Sequence, residues 1–312
     1  MLRKSLVVLA LLGVSATAAS AAEPPTCKAV RFADVGWTDI TATTAAATVV
    51  LKALGYAPKT QVLSVPVTYA SMKSKDIDVF LGNWMPTMEA DLRPYVDDKS
   101  VDIVGVNLEG AKYTLAVPAY LYDKGLKSFA DIAKFKADLD GKIYGIEPGN
   151  DGNRLILEMI SGDKFGLKDF SLVESSEQGM LAEVEKAVRK DRGIVFLGWE
   201  PHPMNAKFTM KYLDGGDDVF GPNYGGATIY TNTRAGYAAD CPNAGKLIGN
   251  LKFTLTLENE MMGAILNDGE DPEKAAAAWL KAHPDTLTGW LDGVTTFDGQ
   301  PGLAAVKAGL GL

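Results

Sequence analysis

The 312-residue chain contains two histidines and two cysteines, and that scarcity removes most catalytic chemistry. His202 lies between two prolines and His283 precedes another. Neither stands near a nucleophile pattern, and the G-x-S-x-G, P-loop and H-E-x-x-H motifs are all missing. Two cysteines do not make a metal cluster, so neither a metal nor a cofactor is expected. Glu200 is the one carboxylate placed to suggest a glycosidase, and no partner at glycosidase spacing is identifiable. Lys/Arg clusters are also missing. With 31 basic and 39 acidic residues the net charge is −8, which argues against nucleic acid or an anionic membrane surface as partner. The mild acidity is permissive for a cationic ligand.

Long apolar runs are missing too, with one exception. Arg3 and Lys4 precede an apolar stretch, Ser5 to Val14, that is too short for a membrane span. Small residues follow, and "ASAA" at 19–22 fits an A-x-A cleavage site. Residues 1–22 therefore read as a signal peptide cleaved near Ala21 or Ala22. No cysteine stands at the junction, so a lipid anchor is not expected. The mature chain is expected to be periplasmic, soluble and monomeric. Export to an oxidising compartment lets Cys27 and Cys241 pair; the alternative is two buried thiols.

The remaining length suggests two domains. Short strand-like runs alternate with helical patterns, the signature of α/β architecture. Strands are expected at 29–36, 60–67 and 77–82, with an Ala-rich helix over 38–55 between the first two. The pattern restarts near 110, with a helix near 151–161, another near 177–190 and a strand at 193–198. Late helices cover 244–266 and the "DPEKAAAAWLKAHP" stretch. We expect one discontinuous lobe, 23–109 and 220–312, and an inserted lobe, 110–219. Each lobe would be a mixed or parallel sheet flanked by helices, with two hinge crossovers and a cleft between them.

What the chain does have is a repeated motif. "DVFLGNWMPTM" (78–88) and "GIVFLGWEPHPM" (193–204) each run an apolar strand into Leu-Gly, then a tryptophan, then proline. Ligands in α/β sheets sit outside the carboxyl ends of strands. Trp37 and Asp39 follow the first strand, Trp84 the third and Trp199 the strand of the insert. Asn150 opens a helix after a Gly-rich turn, and Tyr113 lies just past the first crossover. Trp279 and Trp290 lie on late helical patterns and read as core. Several ring faces and one carboxylate suit a cation that cannot donate hydrogen bonds, quaternary ammonium above all. Sugar stacking, the competing use of aromatic platforms, would need more polar side chains than Asp39, Asn150 and Asn83 supply.

The export signal, "GWTD" near the mature start, the "FLGNWMP" and "FLGWEPHP" pair and the length resemble the substrate-binding proteins of glycine betaine and choline ABC importers. The resemblance covers essentially the whole mature chain and is nearest to the periplasmic choline-binding proteins. It implies an aromatic box of Trp37, Trp84, Trp199 and Tyr113 around a trimethylammonium, completed by Asp39 and Asn150. Tyr120, Tyr122 and Tyr144 are alternatives to Tyr113. It also implies membrane permease and ATPase subunits as partners. A buried Asp39 would repel the carboxylate of glycine betaine or proline betaine and favour choline. Asp39 as a helix N-cap and Asn150 as a turn residue are the plainer roles of those two positions.

Overall fold

The computed structural model describes residues 23–312; the expected signal segment lies outside the described residues. Nine strands form one strongly curled sheet: β1 (Ala29–Asp34), β2 (Ala57–Val62), β3 (Val79–Met85), β4 (Val101–Pro118), β5 (Lys142–Tyr144), β6 (Ser171–Val173), β7 (Phe196–Glu200), β8 (Met210–Tyr212) and β9 (Gly226–Arg234). The order is β2-β1-β3-β9-β4-β7-β5-β6, with β8 on β4. At each end the strands pair in parallel: β1 with β2 and β3, and β5 with β6 and β7. Between these ends, β9 and the long β4 run antiparallel and carry the sheet from one end to the other. β4 pairs β9 through Lys112 and then β7 and β8 from Lys112 onward. Register shifts between Ile103 and Gly105, Val106 and Leu108, and Leu108 and Ala111 bend it on the way.

Helices cover both ends of the sheet. Thr38–Ala53, the Ala-rich helix, packs directly on the β1–β3 end, and its small side chains permit a close approach. A Cβ at Gly82 would stand 2.7 Å from the Ile40 side chain, so the glycine of the first Leu-Gly-Asn-Trp is required by helix packing. Buried polar residues tie the strands together. Arg31 and Arg234 converge on the buried carboxylate of Asp78, at 2.6–2.9 Å. Among the described residues no helix is long and apolar enough to cross a membrane.

The expected elements are largely present, with two differences. The strand expected at 60–67 ends at Val62, and Val65–Lys73 is a helix with Pro66 in its first turn. Proline's fixed φ suits that position and its missing N–H is not needed there. The single helix expected over 244–266 is two, Pro242–Asn250 and Leu255–Leu266. Leu251 leaves helical geometry, and the Thr254 hydroxyl caps the second helix by accepting the Leu257 N–H at 3.1 Å.

Cys27 and Cys241 are joined, with Cα atoms 5.5 Å apart and 214 residues of separation. Glu23 sits beside the bond. Its carboxylate accepts the Asn243 and Ala244 N–H groups at 3.0 and 2.9 Å, at the start of Pro242–Asn250, and the Tyr56 hydroxyl. The first described residue is thus fixed to a helix N-terminus late in the chain. A loop of this length is worth about 5 kcal/mol in the chain-entropy account. Replacing both cysteines by alanine is expected to lower the unfolding free energy by about 2 to 5 kcal/mol, read by denaturant titration. Ligand affinity should stay unchanged, since the bond lies away from the cavity described next.

Candidate functional site

Trp37 is the residue before the helix Thr38–Ala53, Trp84 lies near the end of β3, Tyr113 on β4 and Trp199 on β7. The curled sheet brings these positions around one small cavity, lined by Trp37, Asp39, Trp84, Tyr113, Ile146, Asp151 and Trp199. Tyr113 and Trp199 are directly opposed across β4 and β7, which puts them on one face of the sheet. Their ring centroids are 6.3 Å apart and nearly perpendicular, and Tyr113 stands 6.0 Å from Trp84. All four rings are buried. Both copies of the Leu-Gly motif turn at the same point, with cis peptide bonds at Met85–Pro86 and Glu200–Pro201.

Asp39 is not the helix N-cap. Trp37 occupies that position without a side-chain cap, and Asp39 lies in the first turn, facing the cavity. Its Oδ2 accepts the Trp84 indole N–H at 3.2 Å, and its buried Oδ1 has no partner. Among the described residues no ion pair reaches it. Asn150 is a cap: its Oδ1 accepts the Asn153 N–H at 3.0 Å and the Tyr113 hydroxyl at 2.8 Å. It therefore holds Tyr113, while its neighbour Asp151 forms the cavity wall. Gly152 completes that contact, because any Cβ there would collide with the Tyr113 hydroxyl.

Sequence reasoning missed Ile146 and Asp151, and it missed three carboxylates around the cavity. Glu147 accepts the Trp37 indole N–H at 2.9 Å. Glu177 accepts the Thr38 N–H and hydroxyl at 2.8 and 2.7 Å. Glu258, on Leu255–Leu266, is buried behind Asp39. The turn "EPGND" next to Asn150 could have yielded Asp151; nothing local marks Glu177 or Glu258. The alternatives to Tyr113 do not line the cavity. His202 is buried, its ring edge-on to Trp199 at 4.8 Å and its Nε2 3.1 Å from Glu177. Glu200 forms a half-exposed ion pair with Lys112. Trp290 is core, whereas Trp279 is partly exposed and stacks on His283. Glu23, Cys27 and Cys241 are the one grouping of potential metal ligands among the described residues, and its sulfurs are bonded to each other.

This wall is rich in carboxyl groups whose charge is disfavoured while the cavity holds no cation. Burial, then the nearby Glu177 carboxylate, pushes Asp39 up to about 8. Burial likewise raises Glu147 to about 7 and Asp151 to about 6, and lifts Glu258 well above the usual range with Asp39 adding to it. In each case desolvation is the largest cause, and only Asp151 has a cation, Arg154, that partly offsets it.

A model of the substrate-binding domain of ABC-type glycine betaine transport systems matches residues 28–282. The chain belongs to this family. An ABC-transporter choline-binding protein, solved in complex with choline, is 67% identical; the match covers 92% of this chain and 100% of that one, with a TM-score of 0.91. An ABC-transporter choline-binding protein in an unliganded, semi-closed conformation is 68% identical with the same coverage and a TM-score of 0.85. The fit is thus better to the liganded arrangement. An uncharacterised protein, ORF1, of Chromohalobacter salexigens is 52% identical over 151 residues, which is 48% of this chain and 94% of that protein. This substrate-binding domain accordingly has the two-lobed periplasmic binding-protein fold, and its family is one of transport rather than catalysis.

Unfolded carboxyl groups titrate near 4, while Asp151, Glu147 and Asp39 titrate at about 6, 7 and 8. Across that window the folded, ligand-free protein holds more protons than the unfolded chain, so its stability is lost as pH rises. The melting temperature of the ligand-free domain is expected to fall between about pH 4 and 8, and Asp39→Asn to flatten that fall. A scan of Tm against pH checks both.

Proposed function

We propose that this domain captures choline in the periplasm and delivers it to the permease and ATPase subunits of an ABC importer, acting as a monomer. The four rings present electron-rich faces to the trimethylammonium, each contributing roughly 0.5 to 2 kcal/mol when desolvated. Together they can supply most of the roughly 8 kcal/mol of a micromolar complex. Asp39 balances the charge, and Asn150 acts through Tyr113. Residues 23–109 with 220–312 form one lobe and 110–219 the other. β4 and the return near 220 serve as crossovers, so each lobe carries part of the box. Ligand selects the closed arrangement by binding it more tightly than the open one.

The observation that carries this reading is the set of buried, unpartnered polar atoms on the cavity wall. They are two acceptors, Asp39 Oδ1 and Asp151 Oδ2, and one donor, Trp199 Nε1. A hydroxyl can both donate and accept, and a net positive charge answers the carboxylates. Choline offers both. Glycine betaine brings a carboxylate that could use the Trp199 N–H but would oppose the ionised forms of Asp39 and Asp151, which a net cation instead stabilises. At 4 to 5 Å and an effective dielectric near 20, each charge pair is on the order of 3 to 4 kcal/mol before desolvation. The 67% identical protein solved with choline supports the same choice.

Calorimetric titration of refolded protein with choline and with glycine betaine tests it. Choline should bind at least about tenfold more tightly, and Asp39→Asn should shrink that ratio. Betaine binding as tightly as choline would overturn the assignment. Trp84→Ala and Trp199→Ala should each cost at least about 2 kcal/mol of choline affinity; unchanged affinity in both would remove the aromatic box from the argument.

A further inference from the structure

Two carboxylates near the box, the half-buried Glu147 and the buried Glu177, do not line the cavity themselves and yet reach Trp37 in its wall and Thr38 beside it. Glu147 lies in the turn after β5, and Glu177 opens the helix Glu177–Val188. Both belong to the stretch between the crossovers. Their hydrogen-bond donors, Trp37 and Thr38, lie on the other side, at the junction of β1 and the helix Thr38–Ala53.

The geometry at Glu177 is that of a prepared acceptor. The Thr38 N–H is one of the four that a helix leaves unpaired at its start, and the 16-residue helix favours negative charge there. Glu177 takes that N–H on one oxygen and the Thr38 hydroxyl on the other. The Met204 N–H donates to His202 Nδ1 at 2.9 Å, which leaves the Nε2–H to face Glu177 at 3.1 Å. Three donors thus meet a carboxylate that is 1% exposed, two of them from across the cleft.

Trp37 joins this arrangement to the ligand. Its side chain lines the cavity while its N–H is bound to Glu147. A single indole is therefore shared between the box and the contact that spans the cleft. Arg154 adds a more exposed tie, to the Thr87 carbonyl at 2.8 Å and Asp91 at 3.1 Å.

We propose that Glu147 and Glu177 are positioning residues that latch the closed cleft through Trp37 and Thr38, setting how long the ligand stays rather than which ligand is chosen. The proposal rests on the reading of the cavity as a quaternary-ammonium site. Hydrogen bonds to charged groups are individually strong, and these form only when the two sides meet. Their loss should therefore appear in dissociation and leave encounter with the open protein unaltered.

Stopped-flow tryptophan fluorescence on the mature protein, with folding of each variant checked by its melting curve, separates the two rates. For Glu147→Ala and Glu177→Gln we expect the choline off-rate to rise about tenfold or more, with the on-rate within about threefold. Trp37→Phe keeps a ring face and removes the N–H. In that background Glu147→Ala should add no more than about twofold, because both changes delete one bond. An effect carried by the on-rate, or an equal rise in off-rate in the Trp37→Phe background, would overturn the latch. If choline fails to saturate the wild type and glycine betaine succeeds, the choline assignment falls and the latch is judged by the same rates on betaine. Saturation by neither overturns both.

Discussion

A carboxylate buried without a positive side chain is the constraint around which this molecule is arranged. Asp39 is fully enclosed, one of its oxygens has no partner, Glu177 disfavours its charge further, and its own charge disfavours that of Glu258. An isolated buried charge is costly enough that it ordinarily takes up a proton or finds a counter-ion. Here no lysine or arginine is supplied, although Arg31 and Arg234 both serve Asp78, the residue before β3. The fold therefore keeps an electrostatic deficit at the centre of the aromatic cavity. A cation without hydrogen-bond donors on its charged group can occupy that centre, because ring faces replace its hydration without needing N–H groups in return.

The walls follow from strand ends. Trp84 and Trp199 occur in matching sequence contexts, and each closes its strand with a glycine two or one residues before the ring. At the first site the glycine lets the helix Thr38–Ala53 come down onto β3, which brings Asp39 within reach of the Trp84 N–H. At the second, β7 pairs with β4 so that Trp199 stands opposite Tyr113. Tyr113 is the shared element, set between the two tryptophans and held by Asn150. Close packing at Gly82 and Gly152 thus shapes the cavity wall as much as it stabilises the fold.

Much of the site was legible because its aromatic members carry a local signature. A tryptophan between an apolar strand, a glycine and a proline marks itself, and doing so twice marks a pair. Asp39 was legible through its neighbour Trp37. The remainder depends on contacts spanning more than a hundred residues. Glu177 meets Thr38 over 139 residues and Glu147 meets Trp37 over 110, and neither glutamate differs in its surroundings from a solvated one. Asn150 illustrates a second limit. The sequence left it either a ligand contact or a turn residue; the structure makes it a helix cap that also supports a wall residue. In the fold, the misplacement of the strand at 60–67 came from reading Val65 and Val67 as strand residues, although Pro66 between them suits a helix start. The break in the late helix was hidden because Leu251 and Phe253 continue the apolar pattern while turning inward as buried residues.

The bond between Cys27 and Cys241 joins the first turn of the described chain to a segment 214 residues later. A chain that emerges amino end first exposes Cys27 early, and its partner arrives only when most of the polypeptide has followed. Glu23 and the helix it caps are under the same delay, since Asn243 and Ala244 lie just beyond that cysteine. Strands β1, β2 and β3 can pair before then, but β9, which adjoins β3 and precedes Cys241 by a few residues, cannot. The covalent tie and the central strand thus become available almost together. Assembly around this bond is consequently timed by the last quarter of the chain rather than by its beginning.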